Sequence, residues 1–145
     1  MSDLWVGEVF ETATATLSLA DIVAFAKQFD PQPMHLDEES AKQTIFRRQV
    51  ASGWHVAAVT MRLMVEAHPF GATPLVGLAV SNLQFHKAVL PETAVRCKAT
   101  IQALEPGPKP AHGHVTTSVE TLDARSGELL MSQTWKVLVP TAARD

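Results

Sequence analysis

The stretch from Gly53 to about His68 most constrains what this chain can fold into. Ser52 stands where a helix N-cap belongs, and Pro69 stands where a helix has to stop. Between them Trp54, Val56, Ala57, Ala58, Val59, Met61, Leu63, Met64 and Val65 surround the helical circumference. Only a thin polar stripe of His55, Arg62 and Glu66 is left. A helix apolar nearly all round has no face to offer to water, so something must enclose it.

The rest of the chain supplies the enclosure. Val95, Cys97, Ala99, Ile101 and Ala103 alternate with Arg96, Lys98, Thr100 and Gln102, the pattern of a strand buried on one face. Val76 to Phe85, Val115 to Leu122 and Leu129 to Val139 read as three further strands, the last two joined by a turn at Ser126-Gly127. Pro106-Gly107-Pro108-Lys109-Pro110 reads as a long hairpin loop. Near the N-terminus, Val9 to Leu17 reads as an extended edge. Ser18 then caps a helix that carries Ile22, Phe25, Ala26 and Phe29 at helical spacing. Pro31 and Pro33 end that helix and force the chain through Asp30 and Gln32 into an extended shape. A second short helix starts at Asp37, with Glu38 and Glu39 in its first turn. Strand, helices, apolar helix, then four antiparallel strands predict an α+β fold, a sheet curling around one helix, in a single domain over residues 1–145.

Bulk properties narrow the function classes. A formal net charge of -3 and a pI near 6.0 give no basic field for a phosphate backbone, which argues against a nucleic-acid partner. The apolar stretch from Trp54 to Val65 is too short and too interrupted to span a bilayer, and Met1 to Phe10 lack a signal-peptide pattern. Cys97 is the only cysteine, which fits a reducing compartment; the expectation is a cytoplasmic protein without a membrane partner. There is no glycine-rich nucleotide loop, P-loop or serine elbow, so no cofactor is expected.

The chemistry-bearing segment is Asp30-Pro31-Gln32-Pro33-Met34-His35, where two prolines stiffen a loop that displays a carboxylate and an imidazole. By itself the segment also reads as a helix terminator followed by a surface histidine. Flanking helices fix its place, however. Downstream, Ala51-Ser52-Gly53-Trp54 opens the apolar helix, whose unpaired amides and positive dipole end suit an oxygen that becomes negative. Gly53 would let a ligand approach the backbone closely.

These residues resemble the MaoC-like dehydratases, which include the (R)-specific enoyl-CoA hydratases. Their pattern is Asp-x-Asn-Pro-x-His-x-Asp, followed after a short helix by a small residue and glycine that enter the central helix. It is matched at Asp30, Pro33, His35, Asp37 and Gly53. The resemblance runs from about Leu4 to Val139 and implies the hot-dog fold. It also implies reversible addition of water to an α,β-unsaturated acyl-CoA, coenzyme A being part of the substrate. Asp30 and His35 would be catalytic, and Gly53 would hold the thioester carbonyl, with Ser52, Gln32 and Trp54 as further substrate-binding candidates. A homodimer or higher homo-oligomer is implied as well. Gln32 stands where many hydratases have asparagine, Ser52 where several have histidine, and Met61 where many have a serine.

Other residues carry less. His112 and His114 lack a third ligand at matching spacing and read as exposed; no metal site is expected. His55, with Arg62 and Glu66, reads as a structural ion-pair face, and Cys97 reads as core. Arg47 and Arg48 are weak candidates for coenzyme A phosphates, and His86 and Lys87 suggest no chemistry. A hot-dog thioesterase is one rival function, with Glu66 as the only acid on the central helix. A non-catalytic acyl-CoA-binding or assembly subunit is another, favoured by Met61.

Overall fold

In the computed structural model, which describes residues 4–107 and 112–140, strands come first and last with helices between them. The elements are β1 (Val9–Glu11), β2 (Ala15–Leu17), α1 (Leu19–Phe29), α2 (Pro33–Leu36), α3 (Glu38–Ala41), α4 (Gly53–Ala67), β3 (Val76–Phe85), β4 (Thr93–Pro106), β5 (His112–Asp123) and β6 (Leu129–Pro140). All strands belong to one antiparallel six-stranded sheet of order β1-β4-β5-β6-β3, in which β2 continues along β4 where β1 leaves off. This is the expected α+β arrangement.

The alternation seen in the sequence builds the core. Val95, Cys97, Ala99 and Ile101 of β4, Val115 and Val119 of β5, and Trp135, Val137 and Val139 of β6 are buried on one sheet face. Val56, Leu63 and Met64 of α4 pack into the same core. Each such aliphatic side chain contributes about 1.5–3 kcal/mol on burial, so one continuous face suffices to hold helix and sheet together.

Four expectations need correction. The edge from Val9 to Leu17 is broken into two short strands, because at residue 12 the Thr12 hydroxyl replaces a ladder carbonyl and accepts the Cys97 N–H at 2.9 Å. His35 lies on the single helical turn α2 rather than in a loop, since Pro33 at its first turn has a preset φ and needs no backbone donor. Helix α4 is not enclosed all round: Trp54, Met61 and Val65 are exposed. They share that condition with Val76, Leu78, Val80 and Phe85 on β3, the edge strand. Finally, His55 is buried rather than part of an ion-pair face. Phe25 of α1 stacks on its imidazole, with ring centroids 4.8 Å apart and planes 8° from parallel. Arg62 and Glu66, further along the stripe, stay exposed. The hairpin loop predicted at 106–110 is bracketed by Gly107 N–H donating to His112 O at 2.9 Å, and residues 108–111 lie outside the described residues. Among the described residues no helix is long and apolar enough to cross a membrane.

Candidate active site

Asp30 is where α1 ends: its N–H still donates to Ala26 O, while its φ and ψ have left the helical region. One proline-stiffened step later, α2 turns His35 back, so that its Nε2 stands 3.3 Å from Asp30 Oδ2. The imidazole is buried and its other nitrogen, Nδ1, is 2.7 Å from the carbonyl oxygen of Val50. A carbonyl only accepts, so Nδ1 carries a proton and Nε2 is the nitrogen free to exchange one.

The strap of residues 49–51 that supplies this carbonyl is itself fixed. Val50 N–H donates to Met34 O at 2.9 Å, Ala51 N–H to Val89 O at 2.8 Å, and the buried Gln49 amide to His35 O at 3.0 Å. Asp30 is held as firmly. Gln32 Nε2 donates to its Oδ1 at 2.7 Å and the Ser52 hydroxyl donates to its Oδ2 at 2.7 Å. Burial pushes the Asp30 carboxyl up, but the hydrogen bonds from Ser52 and Gln32 and the charge of His35 outweigh it and hold the group below its usual range. The pair is therefore a carboxylate facing Nε2 of an imidazole whose Nδ1 proton is held by the Val50 carbonyl.

Asp30 and His35 open into a cavity of about 410 Å³ whose wall also includes Gly53, Trp54, Phe85 and Met131. Ser52 caps α4 by accepting Trp54 N–H at 3.2 Å, whereas the Gly53 N–H has no acceptor among the described residues. An unpaired amide at a helix start, beside a carboxylate–imidazole pair, is an arrangement that can stabilise negative charge on an oxygen while a proton moves nearby.

A family model described as MaoC like domain matches residues 4–122. The chain belongs to the MaoC-like family. It is similar to the MaoC-like dehydratase from Rhodospirillum rubrum, whose solved structure has a TM-score of 0.90 and 38% identity over 97% of this chain and 95% of that one. It is also similar to the (R)-hydratase from A. caviae involved in PHA biosynthesis, with a TM-score of 0.72 and 25% identity over 94% of this chain and 98% of that one. The uncharacterized protein YdeM of Bacillus subtilis (strain 168) is 35% identical over 92 residues, 63% of this chain and 65% of YdeM. The match thus spans just under two thirds of that relative's length. The fold is the hot-dog fold.

Within this MaoC-like chain the sequence-derived candidates fall into two groups. Asp30, Gln32, His35, Gly53 and Trp54 all line the cavity, and Ser52 sits behind it with its oxygen on Asp30. Arg47, Arg48, Met61 and Glu66 are exposed and none lines the cavity. Cys97 is buried, and that burial raises its thiol. Among the described residues no three His, Cys, Asp or Glu side chains gather to hold a metal ion.

Several residues of the wall, and Gln49 behind it, carry no signal in a sequence motif. The Val50 carbonyl and Gln49 act through backbone contacts that no motif records. Phe85 lies over Gly53, where an added Cβ would come within 2.5–2.9 Å of its ring, and it meets Trp54 edge-on with centroids 6.1 Å apart. His86 and Lys87 reach the wall because the end of β3 pairs back onto β6; His86 Nε2 is 2.7 Å from Ser132 Oγ, and Lys87 pairs with Glu128 at 2.6 Å. Only the register of strands distant in sequence brings them there.

Proposed function

We propose that this MaoC-like domain is a hydro-lyase that reversibly adds water across the double bond of an α,β-unsaturated acyl-CoA. The observation that carries this reading is the Asp30–His35 pair, with Nδ1 tied to the Val50 carbonyl and Nε2 facing the carboxylate at 3.3 Å. In hydration, His35 Nε2 takes a proton from water as the water oxygen bonds to the β-carbon. The double-bond electrons move to the thioester oxygen, where the Gly53 N–H stabilises the enolate. Asp30 stabilises the resulting imidazolium, and the pair then returns one proton to the α-carbon as the enolate collapses. Water is consumed and nothing is oxidised or reduced, so the reaction calls for no cofactor beyond the coenzyme A carried by the substrate. The (R)-hydratase likeness supports this assignment.

The exposed apolar residues of β3 and α4 support a homodimer or higher homo-oligomer as the working form. An edge strand with free backbone groups and exposed Val76, Leu78 and Val80 is a ready surface for a second copy. A lone buried cysteine fits the cytoplasm. The test of the activity is the enoyl-thioester absorbance of a chain-length series of 2-enoyl-CoAs. Loss of absorbance without release of free thiol is expected. Thiol release instead would make the protein a thioesterase, and saturable binding without turnover would make it an acyl-CoA-binding subunit.

A further inference from the structure

Ser52 is fully buried and stands at the junction of the two halves of the site. Its oxygen accepts the Trp54 N–H at 3.2 Å and so caps α4, the helix whose first residue, Gly53, lines the cavity. Its single O–H proton goes to Asp30 Oδ2 at 2.7 Å, the same oxygen that faces His35. A serine hydroxyl has one hydrogen to donate, so this geometry leaves none for a substrate.

We propose that Ser52 is a positioning residue for Asp30: its hydroxyl aims the carboxylate oxygen at His35 and ties that oxygen to the start of α4, instead of contacting the acyl thioester. The donor is rigid because the cap holds it from the other side. Asp30 Oδ1 is fixed separately by Gln32, an exposed residue whose hold water can replace, whereas the buried Ser52 contact has no such substitute. The titratable groups near Asp30 are His35 on α2 and, in the cavity wall after β3, His86 and Lys87; their side-chain hydrogen bonds go to Val50, Ser132 and Glu128, none to Ser52.

The kinetic part of this inference rests on the hydratase reading, but its direct part does not. The experiment follows the carboxyl carbon of Asp30 by NMR through a pH titration of the unliganded protein. The variants are Ser52→Ala, Ser52→Gly and Ser52→Thr, with Ser18→Ala as a control. Ser18 caps α1 through the Asp21 N–H and touches neither Asp30 nor His35. Glycine gives up the whole hydroxymethyl group yet keeps most of the capping ability, so Ser52→Gly serves where Ser52→Ala is too unstable to study. Removing the hydroxyl should move the Asp30 midpoint up, threonine should bring it back towards the wild type, and Ser18→Ala should lower the melting temperature with no effect on that midpoint. With a 2-enoyl-CoA, Ser52→Gly should lower kcat about 10- to 100-fold with little change in KM, the size expected for one lost hydrogen bond to a charged group. An Asp30 midpoint that stays put in both Ser52→Ala and Ser52→Gly would overturn the proposal and leave Ser52 as a helix cap. If the wild type turns over no enoyl-CoA while the midpoint moves as expected, the hydratase reading fails and the positioning role stands.

Discussion

Replacing Gly53 with alanine separates two reasons for a glycine at the start of α4. A Cβ there would stand 2.5, 2.7 and 2.9 Å from three atoms of the Phe85 ring. Carbon atoms in contact sit about 3.5–4.0 Å apart, so the ring has to retreat by roughly 1 Å. Phe85 is 54% exposed on an edge strand, and the retreat is open to it. The loss is part of its edge-on contact with Trp54, about 0.5–1.5 kcal/mol, against a gain of up to about 1 kcal/mol from alanine in place of glycine in a helix. The two nearly cancel, so Gly53→Ala should shift the melting temperature by a few degrees at most. Catalysis should respond differently. The methyl and the displaced ring crowd the approach to the Gly53 amide, and loss of one enolate-stabilising donor costs about 10²–10³-fold in kcat. Phe85→Ala provides the control, because it empties the space that the methyl would enter. If crowding by the ring is the whole effect, Gly53→Ala should cost little in that background; if the amide itself is obstructed, the loss should persist. The assay is initial hydration rate from enoyl absorbance beside thermal unfolding of all four proteins. Turnover within about threefold of wild type in Gly53→Ala would refute the assignment of this amide to the thioester oxygen.

Three further outcomes are expected. Asp30→Asn and His35→Ala should each lower kcat by about 10²–10⁴-fold while circular dichroism stays native. The double variant should fall little further, because residues that act as a unit are not additive; additive losses would mean that only one of them touches the reaction. His55 is held below the ordinary histidine value of 6.5 chiefly by burial, with Asp21 opposing. Below pH 6.5 the unfolded chain therefore takes up a proton that the folded chain refuses. Stability present above that pH should decline as pH falls towards the lowered folded value, and His55→Phe should remove this component from a urea-denaturation series; an identical pH profile in the variant would refute it. Sedimentation at micromolar concentration should find at least a dimer, and Val80→Lys on the β3 edge should weaken it tenfold or more; a monomeric wild type would refute the self-association reading.

What the sequence disclosed and what it hid divide along a physical line. Periodicity was readable wherever one face of an element meets the core: Val95, Cys97, Ala99 and Ile101 alternate in the chain as they do in space, and β3 to β6 lie where the pattern predicts them. Asp30 and His35 were readable because two prolines confine five residues to few conformations, so short sequence distance became short spatial distance. The errors arose where a residue's environment is made by a distant element. His55 shares a helical stripe with Arg62 and Glu66, yet Phe25, thirty positions upstream in the numbering, covers it alone. The apolar residues Trp54, Met61 and Val65 satisfied the rule for an enclosed helix, but the rule registers only that they avoid water, not what covers them. The same limit governs the site. A motif reports side chains, whereas the tautomer of His35 is set by a backbone carbonyl at Val50 and the aim of Asp30 by a hydroxyl that also caps a helix. Chemistry that depends on a proton's location is thus fixed by contacts that any of several residue types could supply through the main chain, and these leave no mark in residue identity. Ser52 is the informative exception: there the contact is made by a side chain, and a change of one atom tests it.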